Sequence, residues 1–167
     1  MNKKIIGILG GMGPAATADL FTKIINSTEA SCDQDHLHVI IDSNTNIPDR
    51  TEALIHGGAD PTEQSGIYET CFAGSGIELI TPSPEAQAAV MDLTYNGVKA
   101  GRLDFDTSGF EKAVNELFDK GAQTLILGCT ELPPAFDMYG LDYEHIDPTL
   151  VLARAAVLAA GGKLREA

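Results

Sequence analysis

Leu125-Ile126-Leu127-Gly128-Cys129-Thr130-Glu131-Leu132-Pro133 is an aliphatic run that stops at a glycine, a thiol, a hydroxyl and a carboxylate. A short apolar run of this kind reads as a buried strand of a parallel sheet. The polar triplet then falls just past the strand's carboxyl end, where open α/β sheets bind ligands. Gly128 admits a close approach of the backbone to a small molecule. Cys129 serves as a nucleophile or an acid/base only where its surroundings favour the thiolate. Thr130 and Glu131 are near enough to orient it. The competing reading is a structural cysteine closing a core strand, because free cysteine is often buried.

The other end of the chain has a related pattern. Residues 4–9 read as a first strand, Gly10-Gly11-Met12-Gly13-Pro14 as a turn, and 15–27 as a helix with Ala18, Phe21, Ile24 and Ile25 at core spacing. Pro14 suits a helix start, where its missing N–H is harmless. Gly11 to Ala16 fits G-x-G-x-x-A, with Asp42 after Val39-Ile40-Ile41 as a ribose-binding acid. Three readings stay open for it: a plain tight turn, a carboxylate site at a helix start, and a flavodoxin-like nucleotide site. His36 and His38 lack further ligands at metal spacing and read as surface or capping residues.

At the same sheet edge lies Asp42-Ser43-Asn44-Thr45-Asn46-Ile47-Pro48-Asp49-Arg50-Thr51. Arg50 offers a planar fork of donors that fits a carboxylate, or else pairs with a neighbour such as Asp49. Further on, 77–80 read as a strand and 84–97 as a helix with Ala88, Met91 and Tyr95 on one face. Thr107-Ser108 read as the cap of a helix to Lys120, stopped by Gly121. His145-Ile146-Asp147-Pro148 read as a short strand that caps a last helix, 150–160.

Composition narrows the function. Formal charge is −13, with 24 acidic against 11 basic residues. That disfavours nucleic acid and anionic membranes as partners, and it obliges any site for an acidic molecule to supply its own cations. Three cysteines without a C-x-x-C pair or metal spacing, and an amino terminus too short in apolar residues for a secretion signal, fit a reducing cytoplasm. No run is long enough to cross a bilayer.

Four motifs in order resemble the aspartate/glutamate racemase family, and aspartate racemases most of all. They are Gly10-Gly11-Met12-Gly13-Pro14 with Ala16-Thr17, Ser43-Asn44 with Ile47-Pro48-Asp49-Arg50-Thr51, Gly97-Val98-Lys99-Ala100-Gly101, and Gly128-Cys129-Thr130-Glu131. The resemblance implies an α/β fold of parallel-sheet, flavodoxin-like lobes, here both incomplete. The first lobe would be 1–64 plus 142–167 and the second 65–141, unless the whole folds as one compact unit. It implies cofactor-independent racemisation of aspartate or glutamate by two cysteines, a homodimer, and no metal or cofactor. It assigns Cys129 as an acid/base, with Met12, Asn44, Asp49, Arg50, Thr51, Lys99, Thr130 and Glu131 as substrate-binding positions. Arg50 and Lys99 would be the cations that favour a dicarboxylic amino acid.

The chain departs from that family in one respect. The family's first cysteine sits in a Pro-Cys-Asn-Thr-like motif, which this sequence lacks. The text passes from Gly57–Gln64 directly to Ser65–Glu69, which resembles a helix well inside the second lobe. About two βα units are skipped, the second lobe's opening strand among them. Cys71, in a helix, and Cys32, in a loop, do not replace the missing thiol. The reading is therefore an impaired racemase, or a binding remnant that retains affinity for an acidic amino acid without turnover.

Overall fold

The computed structural model describes residues 3–11, 13–46 and 66–166. The chain divides into two units, Met1–Ile47 with Asp147–Ala167, and Pro48–Ile146.

In the first unit, β1 (Ile6–Gly10) and β2 (Val39–Ser43) pair in parallel, with Ile6 opposite Val39 and Gly10 opposite Ser43. Between them runs α1 (Pro14–Ser27), with Pro14 at its first position. The last helix, α6 (Pro148–Ala159), packs on α1. Ile8, Ile24, Leu37, Ala153, Val157 and Ala160 form the core. The buried face of α1 is Thr17, Ile24 and Ser27, with Leu20 and Phe21 partly covered. The expected face was rotated from this, because Ala18 and Ile25 are exposed. Apolarity alone did not find it: Thr17 is buried beneath Gly10, where a Cβ would collide with its side chain.

Lys23 joins α1 to the start of α6. Its ammonium lies 2.5 Å from Asp19 and 2.6 Å from Asp147. Asp147 is also the N-cap of α6 and accepts from the N–H groups of Thr149 (2.8 Å) and Leu150 (3.2 Å). After α6 the chain folds back so that Thr28 bridges Leu164 in antiparallel fashion. The other sheet face keeps aliphatic side chains in solvent: Leu9 is 92% exposed, Ile5 57% and Ile40 56%.

In the second unit, β3 (Leu125–Ile126) and β4 (His145–Ile146) pair in parallel. Around them stand α2 (Ile67–Phe72), α3 (Pro84–Asp92), α4 (Ser108–Asp119) and α5 (Leu132–Tyr139). The core is Leu93, Phe110, Val114, Leu125, Leu127, Leu132, Ala135 and Phe136. Phe110 meets Phe136 edge-on, with ring centres 6.1 Å apart. Ser83 caps α3 through the Ala86 N–H, and its own N–H and hydroxyl each reach the Glu116 carboxylate of α4 at 2.8 Å.

Three expectations for this unit are corrected. Residues 77–80 form no strand: no partner pairs with them among the described residues, and Ile77 is 57% exposed. An apolar run becomes a strand only where a neighbour completes its ladder. The helix expected over 84–97 ends at Asp92 and continues as a π-turn, Leu93–Val98, whose buried residues are Leu93, Thr94 and Gly97. Ala88 is exposed. Thr107 stands at the N-cap of α4 but its hydroxyl binds the Glu111 carboxylate (2.6 Å) instead of a backbone N–H. The Asp106 carboxylate accepts from the Ser108 N–H at 3.0 Å.

Candidate functional site

The Cys129 turn is built by β3 and α5. Leu127 donates its N–H to Ile146 (3.1 Å), which carries the β3–β4 ladder one step past the strand. The chain then turns at Gly128, whose N–H bonds back to Ile126 at 2.9 Å. Cys129 is half-buried at the margin of the core, and its carbonyl accepts from the Leu132 N–H at 3.0 Å. The thiol therefore stands at the carboxyl end of a parallel strand and immediately before a helix. Glu131 is the N-cap residue of α5 and is only 6% exposed, whereas Thr130 is open to solvent. Pro133 and Pro134 remove two of the N–H groups that a helix start ordinarily offers to an anion.

One neighbour had no signal in the sequence. The Tyr68 hydroxyl of α2 lies 3.4 Å from where a Cβ on Gly128 would stand. Contact of that length is ordinary, so Gly128 leaves room here that a tyrosine hydroxyl borders. Nothing in residues 66–72 marks that proximity, because it depends on how α2 lies against the strand end.

Lys99 follows the π-turn as its C-cap residue and is exposed. Its ammonium stands 4.4 Å from the centre of the Tyr95 ring, a cation–π contact that orders a surface lysine without neutralising it. The same unit thus holds Lys99 and the Cys129 turn. His145 packs its ring on Phe136 with centres 4.6 Å apart. Its Nδ1 lies 2.7 Å from the Tyr143 carbonyl, so Nδ1 bears the proton.

In the first unit the glycine turn and the end of β2 meet: the Asn44 N–H donates to the Gly10 carbonyl at 3.3 Å. The Asn44 side-chain oxygen accepts from the Asn46 N–H at 3.0 Å. The Asn44 side chain is exposed, and its amide nitrogen has two N–H donors to offer. Met12, Asp49, Arg50 and Thr51 lie outside the described residues, as does the stretch around Gln64–Ser65. Cys32 and Cys71 are both exposed. Among the described residues no group of three His, Cys, Asp or Glu side chains is placed to hold a metal. No helix among them is long and apolar enough to cross a membrane.

A sequence profile of the Asp/Glu/Hydantoin racemases matches residues 57–156, which include Lys99 and Cys129. Over 121 residues the chain is 26% identical to the broad specificity amino-acid racemase RacX of Bacillus subtilis strain 168. That alignment takes in 72% of this chain and 52% of the other, so the chain spans about half the length of this curated relative. Among solved structures, the aspartate racemase of Picrophilus torridus is similar at a TM-score of 0.73 and 23% identity, over 97% of this chain and 96% of that one. An aspartate racemase homologue of Pyrococcus horikoshii OT3 is similar at a TM-score of 0.66 and 18% identity, over 95% and 99%. At these identities the structural likeness speaks to the fold, a mixture of helices and small parallel sheets.

Proposed function

Because the chain belongs to the Asp/Glu/Hydantoin racemase family, we propose that it is an acidic amino-acid racemase homologue working with one acid/base thiol, Cys129. The observation that carries this is the position of Cys129, at the carboxyl end of β3 and the threshold of α5. Substrate is aspartate or glutamate. By the family resemblance, Lys99 and Arg50 are the cations for its side-chain carboxylate, and Met12, Asn44, Asp49, Thr51, Thr130 and Glu131 are further substrate-binding positions. The protein acts without pyridoxal phosphate, in the cytoplasm, as a homodimer.

Racemisation without a cofactor removes a weakly acidic α-proton on one face and returns a proton on the other. Two groups are needed, each about 3–3.5 Å from Cα and therefore about 7 Å from one another. Negative charge passes into the α-carboxylate, where N–H and hydroxyl donors stabilise it. A site with one thiol performs half of this. The Cys129 thiolate takes the α-proton of the one enantiomer that presents it, exchanges it with solvent, and returns it to the same face. Exchange with retention outruns inversion by the share a second acid/base would contribute, about 10²–10⁴-fold.

The test is proton NMR of L- and D-aspartate in D₂O. The expected result is loss of the α-proton signal from the sample of one enantiomer, slow accumulation of the opposite enantiomer by chiral chromatography of that sample, and no exchange in Cys129→Ser. Fast racemisation would mean that another group works on the opposite face, and the one-thiol reading would be wrong. Calorimetric binding of aspartate without any exchange favours the second reading, a binding remnant, which the exposure of Lys99 and Asn44 also supports.

A further inference from the structure

The loop that carries Lys99 is tied down from one place. The Lys99 N–H bonds to Thr94 (3.0 Å), the Gly101 N–H to Val98 (3.0 Å) and the Arg102 N–H to Gly97 (3.0 Å), so residues 93–102 form a wide turn closed at Arg102. Its closure is sealed by the Tyr139 hydroxyl, which donates to the Arg102 carbonyl at 2.8 Å. The Tyr139 ring also lies against Phe105, centres 6.2 Å apart. Gly97 makes room for both: a Cβ there would stand 2.9 Å from the Tyr139 hydroxyl and 3.1 Å from the Phe105 ring. Gly101, at φ +65°, supplies the left-handed turn between them.

Tyr139 is the last residue of α5, and α5 begins directly after Cys129-Thr130-Glu131. One helix of eight residues, about 12 Å long, therefore carries the thiol turn at its start and the fastening of the Lys99 loop at its end. Its own end is fixed by Gly140 at φ +63° and by the Leu141 N–H bonding to Phe136 at 3.0 Å. A π-turn continuing an α-helix is rare and is frequently found at functional sites.

We propose that Tyr139 is a positioning residue: through the Arg102 carbonyl it holds the Leu93–Arg102 turn, and with it Lys99, at a fixed reach from Cys129, and so sets the preference for a dicarboxylic amino acid. The specificity part rests on the function proposed above; the fastening does not.

Two readouts separate them. Tyr139→Phe keeps the ring against Phe105 and deletes only the hydroxyl. Hydrogen exchange at the Gly101 and Arg102 amides should quicken by about 3- to 10-fold, the range of one modest hydrogen bond, with the Val114 amide of α4 unchanged. Gly97→Ala, which displaces the hydroxyl from the other side, should give the same pattern. Unchanged exchange at both amides in both variants overturns the fastening. By calorimetry, Tyr139→Phe should weaken L-aspartate binding by about 3- to 10-fold, leave L-alanine binding as it was, and have no further effect in a Lys99→Met background. An equal loss in that background would mean that Tyr139 acts on the fold in general, and overturns its role through Lys99. Should the wild-type chain bind no dicarboxylic acid at all, the proposed function and the specificity part both fail, and the exchange data alone decide the fastening.

Discussion

Replacing Asp147 by alanine removes two things at once, and their sizes can be worked separately. The first is the cap of α6, two bonds to N–H groups at 2.8 and 3.2 Å, whose loss costs about 0.5–2 kcal/mol. The second is the partner of Lys23. The Lys23 and Asp147 side chains are 16% and 11% exposed, between the surface and buried limits. Losing the carboxylate while Asp19 remains costs about 1–2 kcal/mol, below the cost of breaking a fully buried pair. Asp147→Ala should therefore destabilise the first unit by about 1.5–4 kcal/mol. Asp147→Asn, which caps as well as aspartate, should cost only the ionic part, about 1–2 kcal/mol.

The chain provides its own control. It has no tryptophan, and its four tyrosines, Tyr68, Tyr95, Tyr139 and Tyr143, all lie in Pro48–Ile146. Far-ultraviolet circular dichroism follows the helices of both units; tyrosine fluorescence follows only the second. In urea, Asp147→Ala should move the dichroism midpoint down by about 1–2 M and leave the fluorescence midpoint where it was. A variant with an unshifted dichroism midpoint, or an Asn variant as weak as the Ala variant, would refute the partition. Alkaline pH offers a second handle. Burial depresses the Lys23 pKa, but the bonds to Asp147 and Asp19 outweigh it and hold it above the ordinary 10.5. The ion's contribution is therefore complete below pH 10.5 and is lost as pH rises through the folded-state value. Lys23→Met should lack that alkaline loss.

Glu116 contributes to the acid side of the second unit. The Lys120 ammonium at 2.6 Å, then the Ser83 hydroxyl and N–H, hold its carboxyl down to about 2. Its contribution is present above pH 4.5 and fades as pH falls from there toward 2. Fluorescence-monitored urea midpoints should fall less steeply over that window in Glu116→Gln than in the wild type. Gly10→Ala should cost about 1–3 kcal/mol by driving a methyl into the Thr17 side chain. Adding Thr17→Ala should restore part of it in thermal melts followed by dichroism.

Where a local residue dictates the backbone, the sequence could be read closely. Pro14 starts α1, Asp147-Pro148 starts α6, and the aliphatic run before Gly128 is β3 as far as Ile126. Reading failed where the outcome depends on a distant surface. Ile77–Ile80 has strand-like residues but no partner strand among the described residues. The helix over 84–97 is diverted at Leu93 because Gly97 must pass beneath Phe105 and Tyr139, which are remote in sequence. The face of α1 is chosen by Thr17 fitting under Gly10, and a hydropathy pattern does not weigh a buried threonine. The site divides in the same way. Cys129, Thr130 and Glu131 announce themselves as adjacent chemistry after a strand. Tyr68 and Tyr139 do not, because a lone tyrosine carries no positional signal until a helix brings it to a turn.

The parallel ribbon of β1 and β2 has a practical consequence in the tube. Leu9, Ile5 and Ile40 give it a greasy flank, and paired strands with open margins are templates for further pairing. What keeps such molecules apart in dilute buffer is their shared excess of thirteen negative charges. Salt weakens that repulsion without weakening the grease. Purified material should therefore be handled at low ionic strength, since concentrated salt will drive it toward clumping before it drives it toward unfolding.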